Sequence, residues 1–523
     1  MRCRCSGWAP DLVAKDKHPI FLLPADKPAV SRLIVFVLGA ATTTAFAPFG
    51  WWLLAPLLIL PLLYICLTVA PRDAAGHGFW YGFGFYLTGI YWIYISVHVF
   101  GNAALWIALM LMIGLALIMA AFVALAALLT SRLSQGEPWL LVFIGPAAWV
   151  ISEWVRSWIL TGFPWMGLGY GQIDSPLAGW APVLGIYGVS FMVVASTAAI
   201  IATFLAPTAR GRIAGVAVVI VPWMLGGVLS TIDWTEPAGK AIRTSIVQAG
   251  VSQDKKWDRD QLQPIMEYYH SATLSMADSE IVLWPEVAIP ALDDQVESFI
   301  ARVESDARDY GQTVLFGILE RNYDRSAEGR IYNSVTLVGT EERQRYRKRH
   351  LVPFGEYFPV PPSVREWMKM QNLPHSDLTK GDAVQPLLVT ADGTKLGVAI
   401  CYEDAYGAEL LYLLPDAEIL INVSNDAWFG DSIAPHQHLE IARMRSLEFG
   451  RSAVRSTNTG ISAFIGSGGE LLQTGKQFEA ELLTADVVPY RGLTPYAGVG
   501  NWLIIGLCLA ILGIFRFRHR ASL

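Results

Sequence analysis

The sequence predicts a polytopic α-helical membrane domain of about eight spans joined to a soluble, layered α/β domain. Three observations carry that expectation. Of 523 residues, 53% are hydrophobic and only 16% charged, and mean hydropathy is +0.39, whereas soluble domains carry roughly a quarter charged residues. Apolar runs long enough to cross a bilayer recur along the first half and once more at the end. Between them lies a polar stretch, 240–490, in which β-rich runs alternate with helical periodicity.

The apolar runs fall near 32–48, 51–70, 77–98, 103–131, 138–159, 184–206 and 213–231, with another near 498–517. Each approaches the roughly 20 apolar residues that a spanning helix needs. Before them, Lys15, Asp16, Lys17 and Asp26 interrupt any apolar core of a cleavable signal, so residues 1–31 are expected to form a loosely ordered extension. The basic residues of the short loops sort by side. Arg32, Arg72, Arg132, Arg210, Arg212, Arg516, Arg518 and Arg520 all fall on one face if the N-terminus is cytoplasmic. The loops around Phe49, Gly101 and 162–179 carry no Lys or Arg. The expected layout is therefore a membrane domain over 32–231, a periplasmic domain over 232–497, and a last span with a basic tail over 498–523, in a bacterial inner membrane.

In the polar stretch, strands are expected at Thr244–Gln248, Ile281–Trp284, Thr313–Leu319, Ser334–Val338, Leu396–Cys401 and Ile419–Val423. Helices are expected near 258–277, 292–310 and 436–449, where apolar residues recur at three- and four-residue spacing. Near-continuous Val, Ile and Leu strands alternating with helices imply strands buried on both faces.

Of the five cysteines, Cys66 and Cys508 lie in apolar runs and read as packing residues. Cys3 and Cys5 form too little of a zinc site, and no disulfide framework is available. Cys401 differs. The segment Leu396–Asp404 (LGVAICYED) delivers it at the end of an apolar strand, directly before two acids. An inert core thiol and a nucleophile are both compatible with that position, and the acids weigh against the core. Carboxylates beside a thiol raise its pKa, so a nucleophilic role requires a nearby cation. A basic run, Arg347-Lys348-Arg349-His350, continues into Leu-Val-Pro-Phe-Gly355 and Glu356. If strand alternation holds there, Lys348 and His350 share one face and Arg347 and Arg349 the other. A third element, Trp284-Pro-Glu286-Val-Ala-Ile-Pro290, places a carboxylate between prolines after a buried strand. A turn residue and a general base are equally good readings of Glu286.

Glu286 in W-P-E, Lys348 in K-R-H-L-V-P-F-G-E and Cys401 in C-Y-E, in that order, resemble the Glu-Lys-Cys triad of the nitrilase superfamily. With the spans on either side, and Asn425–Asp431 (NDAWFGD) followed by His436-Gln-His438, the chain resembles the bacterial apolipoprotein N-acyltransferases over nearly its whole length. The resemblance implies an αββα sandwich and a reaction. A membrane phospholipid donates an acyl chain, through a cysteine thioester, to the amino-terminal diacylglyceryl-cysteine of an apolipoprotein. It implies Cys401 as nucleophile, Glu286 as general base and Lys348 as cationic stabiliser. Glu356 becomes a supporting second acid, Tyr402 and Glu403 match the C-Y-E pattern, Trp257 matches a tryptophan on a mobile loop, and Asn333 matches a site-supporting asparagine. No metal or organic cofactor is implied.

Other chemistry is weakly signalled. His436 and His438 lie two apart in an expected helix and do not share a face, unlike the i,i+4 pairs of helical zinc motifs. Gly466-Ser-Gly-Gly469 lacks the Lys-Ser/Thr of a phosphate loop and reads as a hairpin turn. Gly82, Gly84 and Gly89 serve either close helix packing or a lipid-facing entrance. Net charge of −6 and a pI near 5.9 give no basis for nucleic-acid binding. Two rival functions are a tethered small-amide hydrolase and a transporter with an accessory domain. A single tether suffices for the first, and the second is expected to expose intramembrane charge, whereas only Glu153 and Arg156 interrupt the spans.

Overall fold

The computed structural model describes residues 27–323, 329–357, 363, 364, 366, 370 and 378–521. Most of the expected N-terminal extension, with Cys3 and Cys5, lies outside the described residues. Helices occupy each expected span: α1 (Pro28–Thr42), α2 (Leu54–Thr68), α3 (Pro71–Gly89), α4 (Leu105–Ser134), α5 (Pro138–Arg156), α6 (Ala181–Leu205) and α7 (Ala209–Leu229). Among the described residues, five helical segments are long and apolar enough to cross a membrane, and two shorter apolar helices, one of them near the C-terminal end, join them. The boundaries correct the sequence reading at two places. The first helix starts inside the expected extension, with Pro28 in its first turn, where a missing N–H costs nothing. The third starts at Pro71 for the same reason and ends at Gly89; Ile95–Phe100 is a separate π-helical turn.

The α3 glycines serve packing. A Cβ on Gly84 would stand 2.0 Å from the Phe36 carbonyl oxygen of α1, and one on Gly82 would meet Val123 of α4 at 2.9 Å. Glycine lets both neighbours approach the α3 backbone directly.

The polar stretch folds as two sheets between helices. The first sheet contains β1 (Ile242–Gln248), β2 (Ile281–Leu283), β3 (Ile289–Leu292), β4 (Thr313–Asn322), β5 (Arg330–Val338) and β6 (Gln344–Arg347). The second contains β7 (Leu388–Val389), β8 (Lys395–Ile400), β9 (Ile419–Ser424), β10 (Ser452–Thr457), β11 (Ala463–Ile465) and β12 (Leu471–Thr474). A final strand, β13 (Glu481–Val487), returns antiparallel to β1 at the edge of the first sheet. Parallel pairing at β1–β2, β2–β4, β8–β9 and β9–β10 puts the centre of each sheet where both faces are covered.

Strand alternation builds three layers. Ile246, Leu283, Leu315, Val398, Ile400 and Val423 pack between the sheets. Their neighbours Val247, Val282 and Val314 face outward onto α8 (Arg259–Ser275) and α9 (Glu297–Asp309). Ala399, Leu420 and Ala453 face α10 (Ala434–Phe449) on the other side. The αββα sandwich expected from the resemblance is the observed architecture. The turn Gly466–Gly469 joins β11 to β12 as a hairpin.

The outer face of α10 does not meet water. Ile441, Met444 and Leu447 join the core of the helix bundle. Its polar groups satisfy backbone donors there: Glu440 accepts from Ala47 N at 3.2 Å, after α1, and Glu448 from Ile186 N at 2.6 Å. The latter N–H is freed because Gly185 breaks α6 at φ +67. The last helix, α11 (Trp502–Ala521), returns along α5.

Candidate active site

Glu286, Lys348 and Cys401 each lie just beyond the end of a strand. Glu286 follows β2 and is 6% exposed; Lys348 follows β6 and is 1% exposed. Because β6 ends at Arg347, strand alternation lapses and the expected pairing of faces does not occur. Lys348 turns inward while His350 stacks on Tyr406 at 3.7 Å. Arg347 pairs with Glu320 at 2.6 Å and Arg349 lies over the Tyr412 ring at 4.1 Å.

Lys348 Nζ donates to Glu286 Oε1 at 3.2 Å and to Glu356 Oε1 at 2.9 Å. Asn333 Nδ2 bridges the same two oxygens at 2.7 and 3.0 Å, and its carbonyl accepts the Lys348 N–H at 2.8 Å. Glu356 Oε2 accepts from Val352 N at 2.8 Å, closing its own loop. Burial opposes the Lys348 ammonium, but Glu286 and Glu356 outweigh it and hold its pKa well above the ordinary lysine value. The cluster thus carries two carboxylates and one permanent cation.

Cys401 stands one residue beyond β8, not within it, and opens a 3-10 turn over Cys401–Ala405. Its φ is +52, a left-handed conformation that a non-glycine residue adopts at a cost of about 1–3 kcal/mol. Val287, directly after Glu286, is likewise at φ +45. Burial pushes the Cys401 thiol well above its ordinary range, Glu286 adds to the rise, and Lys348 opposes it. The resting group is a neutral thiol facing a carboxylate and an ammonium.

The two acids after Cys401 are not free to act on the thiol, contrary to the sequence reading. Glu403 Oε1 accepts from the Arg349 and His350 N–H groups at 2.6 and 3.1 Å. Its Oε2 accepts from Ile400 N at 2.6 Å and the Tyr346 hydroxyl at 3.0 Å. Glu403 therefore ties the Lys348 loop to the cysteine turn. Charge-assisted bonds of this kind contribute about 1.5–3 kcal/mol each, enough to offset the strain at Cys401. Asp404 turns into a buried cluster with His438 and Arg455. Tyr402 packs between the Trp165 and Tyr406 rings, at 6.1 and 5.1 Å.

Trp257 does not join this cluster. It follows the short helix Gln253–Lys256 and is 51% exposed. That helix is tethered by Gln253, which accepts from Asn425 Nδ2 at 3.0 Å.

Sequence reasoning missed Lys256, which is buried with Nζ 3.4 Å from the Glu286 carbonyl oxygen. Burial lowers its pKa to about 8. It also missed Asn422 and Arg455, for which the available signal was a polar and a charged residue inside the buried strands β9 and β10. Asp426 and His438 lie in motifs already noted, but nothing in those motifs places them beside Cys401. A cavity of about 120 Å³ lies beyond the cysteine turn, lined by Arg156, Tyr170, Tyr187, Tyr406 and Arg445 among others. None of Glu286, Lys348 or Cys401 lines it.

Comparison with known proteins bears on both parts of the chain. Residues 38–199 match the apolipoprotein N-acyltransferase N-terminal domain, and residues 243–495 match the carbon-nitrogen hydrolase family. A relative from Methylococcus capsulatus, called apolipoprotein N-acyltransferase, is 40% identical over 94% of this chain and 97% of its own. One of the same name from Azotobacter vinelandii is 40% identical over 94% and 96%, and one from Photobacterium profundum 36% over 91% and 92%. A solved amidase from Nesterenkonia sp. overlaps 51% of this chain and 95% of its own, at 17% identity and a TM-score of 0.35. On the three relatives and the N-terminal domain match, the chain belongs to the apolipoprotein N-acyltransferase family.

Proposed function

We propose that the protein moves an acyl chain from a membrane phospholipid to Cys401, and from the resulting thioester to the terminal amino group of a diacylglyceryl-cysteine on an apolipoprotein. Family membership supports lipoprotein N-acylation; the donor, the thioester and the residue roles are our reading. In that reading, 32–231 and 498–523 hold the protein in the inner membrane, and 232–497 does the chemistry on the periplasmic side. The observation that carries it is the meeting of Glu286, Lys348 and Glu356 beside a strained, uncharged Cys401.

A thiol held neutral requires a base at the moment of attack, and Glu286 takes that proton as sulfur bonds to the ester carbon. The carbonyl oxygen becomes an oxyanion. Two Lys348 protons are committed to Glu286 and Glu356, which leaves the third for the oxyanion, with the Tyr402 N–H as a second donor. Collapse breaks the ester C–O bond, and protonated Glu286 returns its proton to the departing lysophospholipid oxygen. The amine then attacks the thioester, Glu286 accepts the ammonium proton of the adduct, and sulfur leaves and is reprotonated. Glu356 and Asn333 hold Glu286 and Lys348 in register throughout, and the reading gives lipid contact to the exposed Trp257.

Incubation with phospholipid and no acceptor tests this. The protein is expected to gain the mass of one acyl chain, released by neutral hydroxylamine, with lysophospholipid as co-product. A diacylglyceryl-cysteine peptide with a free amine is expected to discharge it, and the N-acetylated peptide is not. Normal transfer by Cys401→Ala, or ammonia release from small amides without acyl transfer, overturns the proposal.

A further inference from the structure

The cysteine turn rests on a buried polar cluster that the proposed reaction does not use. Asp404 comes from the turn itself, Asp426 from the turn after β9, Arg455 from β10 and His438 from α10. His438 Nδ1 lies 2.9 Å from Asp426 Oδ1, and Nε2 lies 3.0 Å from Asp404 Oδ1 and 3.3 Å from the Cys401 carbonyl oxygen. Arg455 bridges the other carboxylate oxygens, at 3.3 Å from Asp404 Oδ2 and 2.9 Å from Asp426 Oδ2. Asn422 Nδ2 reaches the same Cys401 carbonyl at 3.4 Å, and its own oxygen accepts from Arg455.

We propose that His438 is a positioning residue: lodged between Asp404 and Asp426 and bonded to the Cys401 carbonyl, it holds the turn in the left-handed conformation that presents the thiol to Glu286. This rests on the reading of Cys401 as nucleophile. The geometry itself requires an imidazolium. Both ring nitrogens face carboxylate oxygens, and a neutral ring has only one N–H, which would set its other lone pair against a carboxylate. Charge agrees: two carboxylates and Arg455 leave one negative charge, which a protonated His438 cancels, and an uncompensated buried charge costs several kcal/mol.

The groups around the ring come from every side. Asp404 and the Cys401 carbonyl belong to the turn, Asp426 and the Ser424 hydroxyl on it to β9 and its end, and Arg455 to β10. Arg445 acts on Asp404 from the same helix, and the Trp165 and Phe429 rings close the remaining side at 5.5 and 6.1 Å. Burial and Arg455 oppose the charge, but the two aspartates prevail and raise the His438 pKa from 6.5 to about 9. A value raised in the fold means that the charged clamp contributes its full stability below pH 6.5 and that the clamp itself is lost as pH climbs through about 9.

The test follows acyl-enzyme formation by the full-length protein in phospholipid–detergent micelles against pH, with Cys401 alkylation read by peptide mass. His438→Gln is expected to lower kcat by at least about tenfold at neutral pH with KM within about twofold, and to slow alkylation in parallel. Asp404→Asn keeps the ring but removes one of its acids, and is expected to move the alkaline fall in kcat down by about one pH unit or more. Should His438→Gln not fold, Asp404→Asn and the unsubstituted protein decide, the latter expected to lose kcat with a midpoint near pH 9. Unchanged kcat in His438→Gln, a change confined to KM, or an alkaline limb that Asp404→Asn leaves in place overturns the proposal. Transfer by Cys401→Ala would sink the nucleophile reading instead, so the two failures are distinguishable.

Discussion

Lys348 concentrates the site's requirements in one side chain. It is fully enclosed and separates two carboxylates, and in the proposed reaction its third proton meets the developing charge. Arginine keeps the charge but spreads it over a planar fork that needs more room and a different set of acceptors. Lys348→Arg is therefore expected to fold with a melting temperature close to the original, because the carboxylates remain balanced, and to lose at least about a hundredfold in acyl transfer, because the oxyanion donor is misplaced by about an ångström. Turnover near normal would move the role to another donor. Which residues to look for was legible in the sequence wherever a short motif carried them: Glu286, Lys348, Glu356 and Cys401 each sit in one, and the fold brings Glu286, Lys348 and Glu356 together. What Glu403 does was not legible. Its partners are main-chain N–H groups 53 and 54 residues away and a strand's own last amide, and no local pattern announces such a convergence. His438 was in view as a motif residue, but a two-residue spacing says nothing about the acids that fold onto it from two other elements.

At the scale of elements, α10 shows why periodicity located a helix without revealing its role. Nearly every residue in it is buried, since one face packs on the second sheet and the other on the helix bundle. Glu440 is carried into that second contact with a single backbone donor, the Ala47 N–H. Burial raises its pKa from 4.5 to about 8, with the Ala47 bond and Arg443 opposing. A carboxyl whose value is raised in the fold contributes its full stability below pH 4.5 and loses it as pH rises through about 8. Glutamine retains the carbonyl acceptor for Ala47 and cannot ionise. Glu440→Gln is thus expected to melt within about a degree of the parent at pH 5, and a few degrees higher at pH 9, where the parent carries an unpaired buried charge. Melting curves in detergent at the two pH values check this; an equal response to pH in both proteins would show that Glu440 is hydrated or paired. The β6 region teaches the complementary lesson. Alternation was extended past Arg347 because the residues continue without punctuation, whereas the strand stops where Lys348 is drawn inward by Glu286 and Glu356.

For the whole molecule, the distribution of charge along the bundle bears on orientation. Among the described residues the sandwich meets the bundle at one end: Glu440 at Ala47 after α1, Gln437 at Gly89 closing α3 and at Trp165 after α5, and Glu448 at Ile186 near the start of α6. The opposite end is marked by contacts among the other loops. Arg32 lies beside Gly76, Ser131 bonds the Val69 carbonyl at 3.2 Å, and Gly136 sits near the Leu67 carbonyl. That end carries Arg32, Arg72, Arg132, Arg210 and Arg212, the basic residues of the short connections. Arg156 is buried at the sandwich end, whereas these arginines lie at the end away from the sandwich, which supports a cytoplasmic basic face and a periplasmic sandwich. Two exposed positions test it in a background from which Cys3, Cys5, Cys66, Cys401 and Cys508 have been replaced. Lys476, on the hairpin side of the sandwich, is 71% exposed at its side chain, and Arg210 is exposed in the first turn of α7. With a membrane-impermeant maleimide on intact spheroplasts, Lys476→Cys is expected to label at once, and Arg210→Cys only after the inner membrane is breached. The reverse pattern would put the sandwich in the cytoplasm, on the wrong side for lipoproteins already exported, and the proposed acceptor would fall with the orientation.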